Sequence, residues 1–402
     1  MTLSLHGTRR FPQSALLGGI ALAAAAALTL TGCSADTAGA SGADGSLKVV
    51  ATTTQLTDFA REIGGDDIEL RGLLVPGGSA HHFDPTPADL LALSEADVLI
   101  VNGAGLESFI DDAIDASGFD GEVITASDGI DLAEATEITA EGEAGGAAEH
   151  DHADHDHEDQ DHAAEGAETA ETAEATETAE AGTDQSDHEH DHGTETAEAA
   201  EGAHTDHDGH DHGATNPHLW TSPRYAEGMA AHIGEEFARI DTANAADYDA
   251  RTAAYVQQLQ ALDTWVSEQF AAVPEAKRVL VSGHDSLRYF LHDYDIDFAG
   301  AILPSFEDNA EPSAADIDAL VAAIKDRGVT AVFVESSMSP KLARTIAAEA
   351  GVRVIDAESL YADSLGVADS GADTYISATV HNTRTILEAW GETTAPLPDT
   401  LQ

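Results

Sequence analysis

Cysteine occurs once among 402 residues, at Cys33. An intramolecular disulfide is therefore impossible, and so is a thiolate zinc site. Any transition metal held by this chain must be bound through histidine nitrogen and carboxylate oxygen. Basic residues are scarce as well: 17 Lys and Arg stand against 75 Asp and Glu, a formal net charge of -58. Such a chain repels a polyanion instead of steering it in, which excludes nucleic acid as a partner and favours cationic ligands. Phosphate-cradle chemistry is excluded too, because Gly77-Gly78-Ser79 is not followed by the Gly-Lys-Ser/Thr string that cradle requires. Much of the negative charge sits in one segment and speaks to solubility, not to fold.

The lone cysteine closes a distinctive N-terminus. Arg9 and Arg10 precede an apolar, Ala/Leu-rich stretch over residues 16–30, shorter than the roughly 20 apolar residues a spanning helix needs. This pattern reads as an export signal. It ends in Leu30-Thr31-Gly32-Cys33, which resembles a bacterial lipobox. Cleavage over 1–32 and lipidation of Cys33 follow, placing the protein on the outer face of the cytoplasmic membrane. Residues 33–46 are small and polar and read as a flexible tether.

Beyond the tether, length allows two ordinary domains. Strand-like runs at 47–51, 70–75 and 98–101 alternate with helix-like stretches at 55–63, at 87–95 and from 107 onward. The rhythm returns in the second half, with strands expected at 278–281, 298–303, 331–335 and 352–355. Helices are expected there at 286–292, 314–327, 340–350 and 375–389. Short apolar runs alternating with helices are the signature of parallel sheets covered on both faces. Between the halves, a helix at 223–240 is followed by one of about 27 residues. Tyr248, Tyr255, Leu259, Leu262, Val266 and Phe270 fall at helical spacing along it. At that length it spans roughly 40 Å and suits a rigid strut. The expected fold is α/β: a first lobe over 47–243, a linking helix over 244–273, a second lobe over 274–395 and a tail over 396–402.

Residues 140–214 interrupt the first lobe. They contain no Lys, Arg or aromatic side chain but hold 12 of the 20 histidines, clustered at the two ends around a Glu-Thr-Ala-Glu-Ala repeat. With so little to bury, the segment is expected to be disordered. Its histidines would bind metal loosely and in fast exchange while neutral. The two readings are a collecting device and a solvated spacer.

In open parallel sheets, ligands bind outside the carboxyl ends of strands, and donor side chains follow strand-like runs at four places. These are His81-His82-Phe83-Asp84-Pro85, Asn216-Pro217-His218, Ser282-Gly283-His284 and Tyr361-Ala362-Asp363. Two lie in each lobe, so a cleft between lobes would gather three imidazoles and one carboxylate. That set fills a tetrahedral zinc shell with no open position, and imidazole also suits copper, iron and nickel. Asp363 has a second reading as a helix N-cap, and Glu335 has one as the partner that orients a ligand histidine. His232, His292 and His381 fall within helices and read as ordinary histidines. Ser282, His284 and Asp285 share one loop and lack the geometry of a triad.

The strings PGGSAHHFDPTP, NPHLW, VSGHDSLRYF, EPSAADI, VFVESSMSPKLARTIAAEAGV and LYADSLG, in this order over about 47–390, resemble the zinc- and manganese-specific solute-binding proteins of ABC transporters. The resemblance implies two α/β lobes, a rigid linking helix and a metal buried between the lobes. It implies His81, His218, His284 and Asp363 as ligands, with His82 an alternative to His81. Where manganese binders of this type tend to carry a carboxylate, this chain has His284, and a histidine-rich insert also resembles the zinc branch. Ser79-Ala80 replaces the Asp-Pro usual before the first ligand. The implied function is capture of Zn2+ by a monomer that delivers it to an ABC permease, without catalysis. The alternatives are a manganese or iron receptor of the same type, a zinc-dependent surface hydrolase and a metal-buffering adhesin.

Overall fold

The structure, a computed structural model, describes residues 46–147, 215–305 and 311–402, the side chains of 143–147 and 356–359 excepted. The expected signal segment, Cys33, nearly all of the tether and the twelve clustered histidines lie outside the described residues.

The first lobe is a parallel four-stranded sheet. Its elements are β1 (Leu47–Ala51), α1 (Thr54–Gly64), β2 (Ile68–Gly72), α2 (Pro87–Glu95), β3 (Val98–Val101), α3 (Ile110–Ser117), β4 (Glu122–Thr125) and α4 (Leu132–Ala147), with strand order β2-β1-β3-β4. All four residues of β3 are buried, as an uninterrupted Val-Leu-Ile-Val run in a doubly covered sheet should be. Local chemistry sets the helix starts. The Thr53 hydroxyl accepts from the Leu56 N–H to open α1. Thr86 and Asp89 form a reciprocal capping box at α2, with Pro87 in the first turn where its missing N–H costs nothing.

Helices α5 (Pro223–Ile240) and α6 (Ala245–Ala271) follow. The six residues that gave α6 its expected apolar face are all buried, joined by Trp265. This face packs on α1 and α5 of the first lobe and on a helix of the second lobe, α10, so α6 links both lobes. Arg251 fastens it further, donating to the carbonyls of Ile63 and Gly64 and to Asp67. The short C-terminal turn Asp399–Leu401 also contacts α6.

The second lobe contains β5 (Val279–Ser282), α7 (Arg288–Asp293), β6 (Asp297–Ala301), α8 (Ala314–Asp326), β7 (Ala331–Glu335), α9 (Pro340–Ala350), β8 (Arg353–Leu360) and α10 (Tyr375–Ala389). Its strands form two parallel pairs, β5-β6 and β7-β8, with β5 in contact with β7. The expected α/β architecture of two parallel-sheet lobes joined by a long helix is what the structure has. No described helix is long and apolar enough to cross a membrane.

Three expectations need correction. The strand placed at 70–75 lies at Ile68–Gly72; Leu73 and Leu74 still donate to the Ala51 and Thr52 carbonyls, while Val75 turns out to solvent. Helix α4 runs on to Ala147, past residue 140 where the pattern was expected to stop. The two sides of the undescribed 148–214 stretch meet through the hydroxyls of Thr136 and Thr215, 2.6 Å apart. Finally, no helix starts behind Asp363 before Tyr375, so that residue caps none.

The lobes meet along a hydrogen-bonded seam. Gln55 Nε2 and Trp220 Nε1 both donate to the Ala362 carbonyl. The Gly77 N–H reaches Ser364 Oγ, and the Leu365 N–H reaches Thr54 Oγ1. Asp58 of α1 accepts the N–H of Tyr375 at the first turn of α10. These bonds bring together the strand ends that carry the candidate donors.

Candidate metal centre

The four predicted donors converge. His81, His218, His284 and Asp363 each offer one ligand atom, and these atoms all lie within 4.8 Å of one another. His218 Nε2 is 3.0 Å from His81 Nε2 and 3.1 Å from His284 Nε2. Asp363 Oδ1 is 3.3 Å from Nε2 of both His218 and His284. A tetrahedral ion with bonds of 2.0–2.1 Å spaces its ligand atoms roughly 3.3 Å apart, so these separations suit one ion held by all four. His82, by contrast, is exposed, and His81 is the one of the pair that lies in the cluster. His232 and His381 are half-buried on helices and His292 is exposed, all apart from the cluster.

Each ligand sits on a loop that its surroundings fix. The Ser79 hydroxyl accepts the His81 N–H, and Ala80 is fully buried, so the Ser-Ala pair makes an ordered approach to the first ligand. His218 follows Pro217, whose carbonyl accepts from Asn102 Nδ2, while Glu107 accepts the Asn102 N–H. The His284 loop rests on Glu335 at the end of β7. One oxygen, Oε1, accepts the N–H groups of Gly283 and His284; the other, Oε2, lies 2.7 Å from His284 Nδ1. A Cβ at position 283 would collide with Met338 Sδ and sit 3.0 Å from Glu335 Oε1, so a larger residue would have to displace the Met338 side chain. Asp363 uses Oδ2 to accept from Ser337 Oγ and turns Oδ1 toward His218 and His284.

The partners decide where the ring protons are. An ionised carboxylate only accepts, so Glu335 places a proton on His284 Nδ1 and leaves Nε2 as a lone pair in the neutral ring. His218 Nδ1 is 2.7 Å from Asn216 Oδ1, an acceptor, with the same consequence. With both rings neutral, the two Nε2 atoms 3.1 Å apart cannot hydrogen-bond to each other, and both face Asp363 Oδ1. Such a cluster is satisfied by a cation.

In the metal-free protein a proton on His284 serves as that cation. Burial disfavours the His284 imidazolium, yet Asp363 and then Glu335 outweigh it and hold its pKa well above the ordinary histidine value. Burial likewise disfavours ionised Asp363, but the charge of His284 beside it keeps that carboxyl well below the usual range. The pair thus stays ionised in a fully buried site. A divalent ion would replace the His284 proton as the neutralising charge.

The role considered for Glu335, orienting a ligand histidine, matches its contacts. Asn216 and Ser337 were not foreseen as partners, although Asn216 lies inside the NPHLW string that marks His218. An asparagine two residues before a ligand histidine is a weak but usable signal for that role.

The family profile described as ZnuA: Zinc-uptake complex component A periplasmic matches residues 49–389. The manganese-binding lipoprotein MntA of Halalkalibacterium halodurans is 25% identical over 361 residues, 90% of this chain and 94% of the relative. The zinc-binding protein TroA of Treponema pallidum is 26% identical over 351 residues, 86% of this chain and 90% of the relative. The solved structure of periplasmic zinc-binding TroA from that organism superposes with a TM-score of 0.63 at 22% identity, covering 86% of this chain and 99% of that one. The chain belongs to the ZnuA family and is a metal-binding receptor of the ABC-transporter type, not an enzyme.

Proposed function

We propose that this protein is a zinc receptor: His81, His218, His284 and Asp363 capture Zn2+ between the lobes, and the loaded form delivers it to an ABC permease. The observation that carries the reading is the donor set, three Nε2 atoms and one carboxylate oxygen, all fully or nearly fully buried. Nitrogen-rich, four-donor shells suit zinc, whereas manganese favours more oxygen donors and a larger coordination number. With four protein ligands and no open position, the hydrolase alternative lacks a place for activated water.

Lipidation of Cys33 would tether this receptor, acting as a monomer, to the outer face of the cytoplasmic membrane. The histidines between 148 and 214 would gather zinc loosely beside the cleft, favoured over a bare spacer by their clustering at both ends of the segment. Tight capture belongs to the cleft, because only a prearranged shell avoids the ordering cost of assembling ligands.

Competition calorimetry with zinc and manganese on the tether-free protein and on His284→Glu tests the metal. Wild type should prefer zinc, and the glutamate variant should shift toward manganese. A wild type that prefers manganese overturns the zinc assignment.

A further inference from the structure

Asn216 joins the first-lobe His218 by hydrogen bonds to the backbone of the second-lobe loop that carries His284. Its Nδ2 donates to the Asp285 carbonyl at 2.6 Å, one residue beyond His284. Its Oδ1 accepts the His218 N–H at 3.1 Å and faces His218 Nδ1 at 2.7 Å. The residue is fully buried. Its backbone is equally committed: the N–H donates to Thr139 Oγ1 of α4, and the carbonyl accepts from Tyr289 Oη of α7. Those two hydroxyls lie 3.2 Å apart, so the frame around Asn216 is itself built from both lobes.

An amide has one donating and one accepting end. The Asp285 carbonyl can only accept, so it takes the NH2 end and turns the oxygen toward His218. That oxygen in turn demands a proton on His218 Nδ1 and aims the bare Nε2 at His81, His284 and Asp363. Reversing the amide would set NH2 against the His218 N–H and oxygen against the Asp285 carbonyl, leaving both contacts unsatisfied in a buried place. A second-lobe carbonyl thereby acts with the local His218 N–H in setting the tautomer and direction of His218.

We infer that Asn216 is a positioning residue that couples the metal-ready state of His218 to the lobes being together, by holding the same amide from both sides. When the Asp285 carbonyl withdraws, the amide loses one of the two contacts that set which end faces the ring, and the His218 N–H alone remains. Closure and ligand readiness are then coupled at one side chain, and separation of the lobes weakens the grip of His218 on its ion. The inference rests on reading the four donors as a metal site but not on which metal is carried.

Two substitutions separate the roles of the amide. Asn216→Asp keeps an acceptor for His218 Nδ1 and removes the donor to Asp285; Asn216→Ala removes both. Long-range 15N NMR of the metal-free full chain reads the His218 tautomer, and chelator-triggered release of bound zinc reads the bridge. Wild type and Asn216→Asp should both show His218 protonated at Nδ1, whereas Asn216→Ala should lose that signature. Both variants should release zinc 10–100-fold faster, the range typical of altered partners of metal ligands. The inference is overturned if Asn216→Ala keeps the Nδ1-protonated signature, or if Asn216→Asp releases zinc at the wild-type rate. Should the alanine variant not fold, the isosteric aspartate decides through its release rate. Failure of wild type to hold zinc tightly would instead count against the zinc assignment, and the tautomer measurement would still stand.

Discussion

His218 and His284 reach the same point from opposite lobes, yet their Nδ1 atoms rest on different acceptors: a neutral amide, Asn216, for the first and a buried carboxylate, Glu335, for the second. The amide orients its ring without adding charge and spends its other end on the facing lobe. The carboxylate orients its ring and also stores a negative charge that, with Asp363, raises the His284 pKa. One lobe therefore supplies directional control and the other supplies charge. A receptor that must release its cargo benefits from this division, since parting the lobes would remove direction and charge together.

The largest effect should come from deleting the ligands themselves. His218→Ala and His284→Ala should each weaken zinc binding by more than the 10–100-fold typical of losing an orienting partner, as measured by chelator competition. Equal losses would fit a shell shared between lobes. A loss confined to one of them would show that the other lobe is a bystander.

Glu335→Gln sharpens the contrast in charge. The amide has one accepting oxygen where the carboxylate uses two, so it would lose the charge and either Nδ1 or the backbone N–H groups of Gly283 and His284, and affinity should fall by roughly 10–100-fold. The sign of the pH dependence follows from His284. A histidine whose pKa is raised in the fold stabilises the metal-free protein below about pH 6.5, and this support is lost as pH rises through the raised value. Zinc must displace that proton, so affinity should rise with pH across the same window. Calorimetry in buffers of different ionisation enthalpy should detect release of about one proton per zinc near neutral pH, and less in Glu335→Gln. Identical proton release in the two proteins would refute the charge-storing role.

The smallest effect on tight binding should follow removal of 148–214, with Ala147 rejoined to Thr215 by a short Gly/Ser linker. Thr136 and Thr215 already bring the two sides together, so the fold should tolerate the cut. One tight zinc equivalent should remain, within a few-fold of wild type, while weaker equivalents disappear from the isotherm. Loss of the tight equivalent would move the capture site out of the cleft.

The helices and inner strands were readable wherever local chemistry was strong. Pro87 and Pro223 behind Thr86 and Ser222 mark the starts of α2 and α5, and the unbroken apolar runs of β3 and β7 give their own bounds. Strand β4 escaped notice because it is a short edge strand whose Glu122 and Val123 face solvent, leaving no periodic signal. The end of α4 was hidden because its Ala-, Glu- and Gly-rich sequence runs without a break into the insert; its buried Ile138 and Thr139 are defined only by tertiary contact. At the site, the donor residues were legible as polar breaks after apolar runs. Choosing His81 over His82 from the residues alone was not possible, because that choice depends on a loop folding back against the second lobe. The contact of Asn216 with the facing lobe lay deeper still: it needs the Asp285 carbonyl, 69 residues away.

X-ray absorption at the zinc edge of the one-to-one complex bears most directly on the shared four-donor shell. The account predicts four light ligands at about 2.0–2.1 Å, with the outer-shell scattering of three imidazoles, and loss of one imidazole in either His218→Ala or His284→Ala. A five- or six-coordinate ion, or a spectrum unchanged by either substitution, would contradict it.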